Sequence, residues 1–346
     1  MNSGSSANIL SDKVGILLVP GFTLLTLACV IEPLRIANRY LERKYDWRLT
    51  SYDGAPVEDM NRLAIPVDKA LDGSDDYGTL FILSAKNVAP HALQFAGALR
   101  RFARRGVKLV GVGSGAVVLA AAGLLDGREA TLHWEGVSPF AETFPDVRAK
   151  EVLFAVSDDI VTSPGNAAAL DLLIASIEAR HGRSFAILVA EHCIQTRVRR
   201  SDEPQRTDIP ARFGVFHPKI VAALQLMEQE MEQPLQIEGV ARRIDLSTRQ
   251  LLRLFKTHLD ASPARLLSWM RLERARRLLV HSDLSITEIA VACGFRSSSH
   301  FSRAYRDQFG APPGAERTTA PKANPAAFAG LLRSEFAGSR EPSQDC

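Results

Sequence analysis

Two hydrophobic rhythms divide this chain of 346 residues. In the first half, short apolar runs alternate with helix-spaced stretches. VGILLV (14–19) ends at Pro20-Gly21, and WRLTSY (47–52), TLFILS (79–84) and VKLVGV (107–112) also have strand length. A helical stretch reaches about Tyr40, and HALQFAGALRRFARRG (91–106) has helix spacing and stops at glycine. Unbroken apolar strands are buried on both faces, which calls for helices on both sides of a parallel sheet. The pattern predicts a doubly wound α/β domain over 12–185.

The second half keeps the helical period and states it twice. Ile237, Val240, Ala241 and Ile244 recur 49 positions later as Ile286, Ile289, Ala290 and Cys293. After a turn, Leu251, Leu254, Phe255 and Leu259 recur 50 positions later as Phe301, Ala304, Tyr305 and Phe309. Each set marks one helix face, so 236–310 predicts two helix-turn-helix units in an all-α domain over 215–317. Ser285 with Glu288 forms a capping box, and Ser247 and Ser297 or Ser298 are N-caps for the second helix of each unit. Gly294 and Asp245 stand where the turns need positive φ. Ser262-Pro263 opens a further helix to about His281, and a supporting helix is expected over 217–231.

Arg253 falls opposite Arg303 and Lys256 opposite Arg306, each on the face turned away from the apolar seam. A single such arginine is better explained as solvated helix surface. Matched pairs in duplicated units point instead to a basic face that enters a DNA groove. On these residues, and above all on GFRSSSHFSRAYRDQFGAPPGAER (294–317), the C-terminal domain resembles the DNA-binding domain of AraC/XylS-type transcription regulators. The resemblance puts the base-reading positions at Arg249, Leu252 and Arg253 in one helix, and at Ser298, Ser299, His300, Ser302 and Arg303 in the other. Leu252 cannot hydrogen-bond a base, so at most a thymine-methyl contact is expected there. Lys256 and Arg306 are expected on phosphates.

Charge sharpens this division. The net charge is +3, yet residues 236–317 hold 14 Lys and Arg against 8 Asp and Glu, so that segment carries +6 and the remainder −3. Cys29, Cys193, Cys293 and Cys346 lack metal-ligand or disulfide-framework spacing, so neither a metal nor a disulfide scaffold is expected. The N-terminus has no apolar signal region, and FTLLTLACVIEPL (22–34) is too short to span a bilayer and carries Glu32. The expectation is a cytoplasmic protein without membrane contact.

The candidate chemistry of the first half lies in GVGSGAVVLAAAGLLDGREATLHW (111–134), a strand running through a glycine-rich turn into a small-residue helix. As a dinucleotide fingerprint, Gly111, Gly113 and Ala116 follow a late strand rather than the first. As a serine-hydrolase elbow, Ser114 is flanked at two residues by Val112 and Ala116 where glycines are required. The third reading is a resemblance of 12–185 to the PfpI-type, glutamine-amidotransferase-like domains, which implies a flavodoxin-like fold. Their elbow carries a cysteine in a pattern like V-C-T-G-A, and here Gly113 takes that place. Without a thiolate there is no covalent step of that kind, and no enzyme is expected.

PGFTLLTLACVIEPLRIAN (20–38), TLHWE (131–135) and TSPGNAAALDLLIASI (162–177) resemble regulatory members of the superfamily. The resemblance implies a small-molecule site drawn from Phe22, Glu32, Gly113, Ser114, His133, Trp134 and Asn166. Glu32 is equally a surface or dimer-contact carboxylate, and a His-Trp pair ending a strand is more often core packing. A Trp134 ring face turned to a cavity could contact a cationic ligand. Pro164, Gly165 and Asn166 are expected to turn into the next helix.

Together the halves imply a sequence-specific regulator that binds double-stranded DNA. By resemblance it is an activator of a catabolic operon, answering to an amino acid or quaternary amine, acting as a homodimer with RNA polymerase and using no cofactor. The alternatives are an amidase- or hydratase-type enzyme fused to a reader, or an effector-free dimerisation scaffold. A helix from Ala186 to Arg200 and the charged, proline-containing stretch 197–214 are expected to form the interdomain segment over 186–214. A largely disordered tail is expected over 318–346.

Overall fold

A computed structural model describes residues 8–85, 89–231, 233, 235–281 and 284–316. The chain divides into two compact units, Met1–Arg206 and Thr207–Cys346. The expected tail lies outside the described residues.

In the first unit five strands, β1 (Lys13–Leu18), β2 (Asp46–Ser51), β3 (Thr79–Ser84), β4 (Lys108–Gly113) and β5 (Ile160–Ser163), pair in parallel in the order β2-β1-β3-β4-β5. The short strand Lys69–Ala70 extends the sheet beside β2, and Ala155–Ser157 runs antiparallel along β5. Six helices accompany them: α1 (Leu24–Ala37), α2 (Ala89–Arg104), α3 (Gly115–Ala121), α4 (Trp134–Thr143), α5 (Ala167–His181) and α6 (Arg183–His192). Alternate strand residues serve opposite faces. Ile16, Phe81 and Val110 pack with Leu34 of α1 and Leu173 of α5. Their neighbours Leu17, Ile82 and Leu109 pack with Phe95 and Leu99 of α2 and Leu119 of α3. This strand order with helices on both faces is the flavodoxin-like, doubly wound arrangement that the apolar runs predict.

The stretch 186–214 differs from expectation. Its helix ends at His192, after which Ile194 adopts φ +55° and the chain turns back. Ala186, Val189 and Ala190 are buried in the sheet-facing core. Beyond α6, Arg199 reaches the buried Asp171 and the Ser201 carbonyl accepts from the amides of Leu153 and Phe154 at 3.0 and 3.4 Å. The stretch is therefore shared: its first part completes one unit, and Ile209 and Phe213 enter the core of the other.

The second unit contains eight helices among the described residues: α7 (Ile209–Phe213), α8 (Pro218–Gln229), α9 (Ile237–Arg243), α10 (Thr248–Leu259), α11 (Pro263–His281), α12 (Ile286–Ala292), α13 (Ser298–Phe309) and α14 (Pro313–Glu316). They build two cores. Val240, Ala241, Leu251, Phe255 and Leu259 form the first with Leu267 and Met270 of α11. Ile289, Ala290, Cys293, Phe301 and Tyr305 form the second with Leu272, Ala275, Leu278 and Leu279 of the same helix. The recurring apolar positions thus become two equivalent seams, and α11 is the wall common to both.

Candidate DNA-reading helices and elbow site

The candidate reading helices begin where their caps require. Ser247 and Gln250 close a capping box at α10, and Ser285 and Glu288 close another at α12, with the Ser285 amide donating to Glu288 Oε2 at 2.6 Å. The His300 amide donates to Ser297 Oγ at 3.2 Å, which makes Ser297 the cap of α13. The preceding turns pass through Asp245 at φ +55° and Gly294 at φ +71°, the two positions singled out by the sequence. Ser262 Oγ accepts from the Arg265 amide at 3.2 Å at the start of α11, which runs to His281.

With Leu251, Phe255 and Leu259 facing inward, Arg249, Leu252, Arg253 and Lys256 are exposed on α10. With Phe301 and Tyr305 inward, Ser299, His300, Arg303 and Arg306 are exposed on α13, and Ser298 and Ser302 are half-buried. Among the described residues Arg253 and Arg303 have no ion-pair partner, whereas Lys256 is tied to Asp260 one turn on. An unneutralised guanidinium on an outward helix face keeps its fork of donors for an external acceptor.

In the first unit, β4 ends at Gly113 with φ +65° and α3 begins at Gly115. A Cβ on Gly113 would lie 2.2 Å from the Ser84 carbonyl oxygen, and one on Gly115 would lie 2.1 Å from that of Ile82. Both neighbours are backbone, so the place that holds a thiol in the enzymes is closed to any side chain here. Ser114 is engaged as well: its amide donates to the Ser84 carbonyl at 2.9 Å and its hydroxyl to that of Ala85. The two cysteines of this unit do not take over that role. Burial pushes the Cys29 thiol up to about 11, with Cys193 adding to the shift, and burial also raises Cys193. Neither supplies a thiolate at neutral pH. Gly113→Cys is therefore expected to lower the stability of this unit by about 1–3 kcal/mol and to create no amidase activity. A variant melting like the wild type would show that the turn relaxes.

Asn166 does approach the elbow. Gly165, at φ +83°, brings its own would-be Cβ within 3.4 Å of the Gly113 nitrogen and 3.1 Å of Thr26 Oγ1. The Asn166 amide donates to Thr26 Oγ1 at 2.8 Å, and Thr23 Oγ1 donates to Asn166 Oδ1 at 3.1 Å. Asn166 itself adopts φ +50°, a conformation held by these contacts. Beside them the hydroxyl of buried Ser84 lacks a partner among the described residues. Thr23, Thr26 and Ser84 are polar groups of this cluster that the sequence motifs do not mark.

Four other candidates remain, Phe22, Glu32, His133 and Trp134. Phe22 is fully buried. Glu32 stands two turns along α1, where it accepts from Arg35 Nε and Nη2 at 2.8 and 2.6 Å on the surface. His133 and Trp134 open α4, their rings 5.4 Å apart, with the Glu135 carboxylate 3.4 Å from His133 Nδ1. Partial burial lowers the His133 pKa and Glu135 opposes that shift. The Trp134 ring carries the guanidinium of Arg206 at 4.4 Å from its centroid. A cation does sit on this ring, and it belongs to the chain itself.

Residues 240–319 match the helix-turn-helix domain family. Over 322 residues the chain is 39% identical to the HTH-type transcriptional regulator CdhR of Pseudomonas aeruginosa, a match covering 92% of this chain and 95% of that protein. The chain belongs to the AraC/XylS family of transcription regulators. The HTH-type transcriptional regulator GlxA of Rhizobium meliloti is 36% identical over 318 residues, 91% of this chain and 98% of that one, so the likeness to these regulators runs through both units. A crystal structure of an AraC family transcriptional regulator from Pseudomonas putida is 21% identical, covers 52% of this chain and 98% of that chain, and superposes with a TM-score of 0.49. As a family member the chain is a DNA-binding transcription regulator.

Proposed function

We propose that the chain is a ligand-responsive activator that reads two adjacent major-groove segments of double-stranded DNA through α10 and α13. The observation that carries this reading is the repetition of one outward face: Arg253 and Arg303, exposed and unpaired among the described residues, at equivalent places on two capped helices. Bidentate arginine recognises guanine O6 and N7, so these two supply direct readout, with Arg249, Leu252, Ser298, Ser299, His300 and Ser302 around them. Lys256 and Arg306 neutralise phosphates. Lys256→Ala is expected to reduce the slope of log K against log salt by about one, with little change in sequence preference. Salt titration of binding to cognate and scrambled duplexes reads this, and a shift in preference without a change in slope would move Lys256 to the bases.

The effector is a small amino acid or quaternary amine taken up by the first unit, and it acts through unequal affinity for two arrangements of a homodimer that recruits RNA polymerase. Two features support a ligand role. The elbow keeps its shape and its polar cluster without a nucleophile, and Ser84 Oγ stands buried beside it with no partner among the described residues. A buried hydroxyl left without a partner costs about 1–3 kcal/mol, so such a group selects for a polar occupant. A thermal-shift screen of the full chain with amino acids and betaines tests this reading. A specific ligand at one hundred times its Kd raises stability by about 2.7 kcal/mol, and a panel without any shift would favour the scaffold alternative. A promoter-reporter fusion decides the sign of regulation.

A further inference from the structure

Helix α1 presents three faces. Leu27, Val30 and Leu34 enter the core, and Thr23 and Thr26 at its start meet Asn166 beside the elbow. The third face, Leu25, Ala28, Glu32 and Arg35, is exposed, and its spacing of three and four residues makes it one continuous stripe. The end of α6 lies alongside, since Glu32 and Arg35 both act electrostatically on Cys193, the residue that closes that helix.

The residue after it, Ile194, is the most exposed large apolar side chain among the described residues, at 85%. It also holds φ +55°, a conformation that a β-branched residue rarely takes and that glycine or asparagine takes readily where a helix ends. In a lone copy this side chain neither packs nor eases the turn. The charges beside it are incomplete too. Arg35 donates from Nε and Nη2 to one oxygen of Glu32, Oε2. Glu32 Oε1 and Arg35 Nη1 have no partner among the described residues, which leaves one acceptor and one donor a turn apart.

A stripe with one charge of each sign suits neither nucleic acid nor an acidic protein surface, both of which call for unbalanced positive charge. It suits a second copy of itself. A two-fold axis that sets two copies of α1 parallel opposes like charges, whereas one that crosses the stripe between Glu32 and Arg35 sets them antiparallel and opposes acid to base twice.

We propose that the outer stripe of α1 and Ile194 form the self-complementary contact of the homodimer: two copies meet antiparallel, Glu32 of each pairs with Arg35 of the other, and Ile194 is buried between them. The inference rests on the chain acting as a homodimer, as proposed above. The contact shares a helix with Thr23 and Thr26, so an occupant of the elbow that moves the first turn of α1 bears on how the copies meet.

Sedimentation velocity of the full chain over a concentration series tests this, with circular dichroism as the check on folding. Wild type is expected to sediment as a dimer. Glu32→Arg and Arg35→Glu each oppose like charges and should weaken that dimer about ten-fold or more. Mixed in equal amounts, the two variants should recover a dimer, and so should the chain that carries both exchanges, because acid again faces base. A pair that served only its own helix would give no recovery on mixing. Ile194→Asn should also weaken the dimer by at least about ten-fold with its helix content unchanged, since asparagine accepts the positive φ. If wild type dimerises and every variant dimerises alike, the homodimer stands on another face and this proposal alone falls. A wild type that stays monomeric at every concentration removes the homodimer reading with it. Monomeric variants that fail to recover on mixing overturn the proposed pairing.

Discussion

Replacing Arg253 and Arg303 together by alanine is expected to weaken binding to the cognate operator by about 2–6 kcal/mol, between roughly thirty-fold and twenty-thousand-fold. Each arginine in bidentate contact with a guanine contributes about 1–3 kcal/mol, and distant sites without shared partners add. The fold should survive. Both side chains are exposed, and the apolar seams behind them, Leu251 and Phe255 in one helix and Phe301 and Tyr305 in the other, stay intact. The loss should therefore concern discrimination: the double variant keeps phosphate attraction and approaches the affinity of wild type for a scrambled duplex. Fluorescence anisotropy on both duplexes at one salt concentration measures this, with circular dichroism as the check on folding. A double variant that keeps the wild-type ratio between duplexes would remove both residues from base readout.

Asp171→Ala is expected to destabilise the first unit by about 3–5 kcal/mol, because removal of one partner leaves a half-buried guanidinium without its counter-charge. Asp171 is fully buried and accepts from Gln195 Nε2 at 3.2 Å as well as from three donors of Arg199. For a unit of this size the melting temperature should fall by about 6–20 °C. Calorimetry of the full chain should show the change in one transition and leave that of the DNA-binding unit in place, since the two units have separate cores. A shift of under about 2 °C would mean that water replaces the carboxylate, and the stretch after α6 would then owe its position to Gln205 and Ser201.

Most of the reader is legible in the sequence because its determinants are local. A capping box spans four residues, a positive-φ turn is one residue, and a helix face repeats within a window of eight. Ser247, Ser285, Gly294 and Asp245 are all found this way. The sheet is nearly as legible where strands are long and apolar, as at Thr79–Ser84. It is less so where two or three residues pair at an edge, as at Lys69–Ala70 and Ala155–Ser157, because so short a stretch carries no period.

The first unit's polar cluster and the stretch after α6 are a different matter. Residues 197–206 have the composition of a solvated linker, and nothing within the stretch reveals that Asp171 lies buried some thirty positions earlier to receive Arg199. Thr23, Thr26 and Asn166 meet across about 140 positions. Such pairings depend on how the sheet brings distant ends together, and local periodicity has no record of them. The charge of Arg206 likewise gives no hint that its guanidinium lies over an aromatic ring.

The shared helix α11 fixes more than the packing of its neighbours. At 1.5 Å and 100° per residue, its 19 residues form a gauge about 28 Å long whose two ends each carry a proposed groove reader. One inserted residue would turn the second reader by about 100° away from the duplex, whereas seven would nearly restore its bearing and move it by about 10 Å, close to three base pairs. Operators of such a regulator can drift in their bases as single side chains change. The interval between their two halves can change only in steps set by whole turns of this rod.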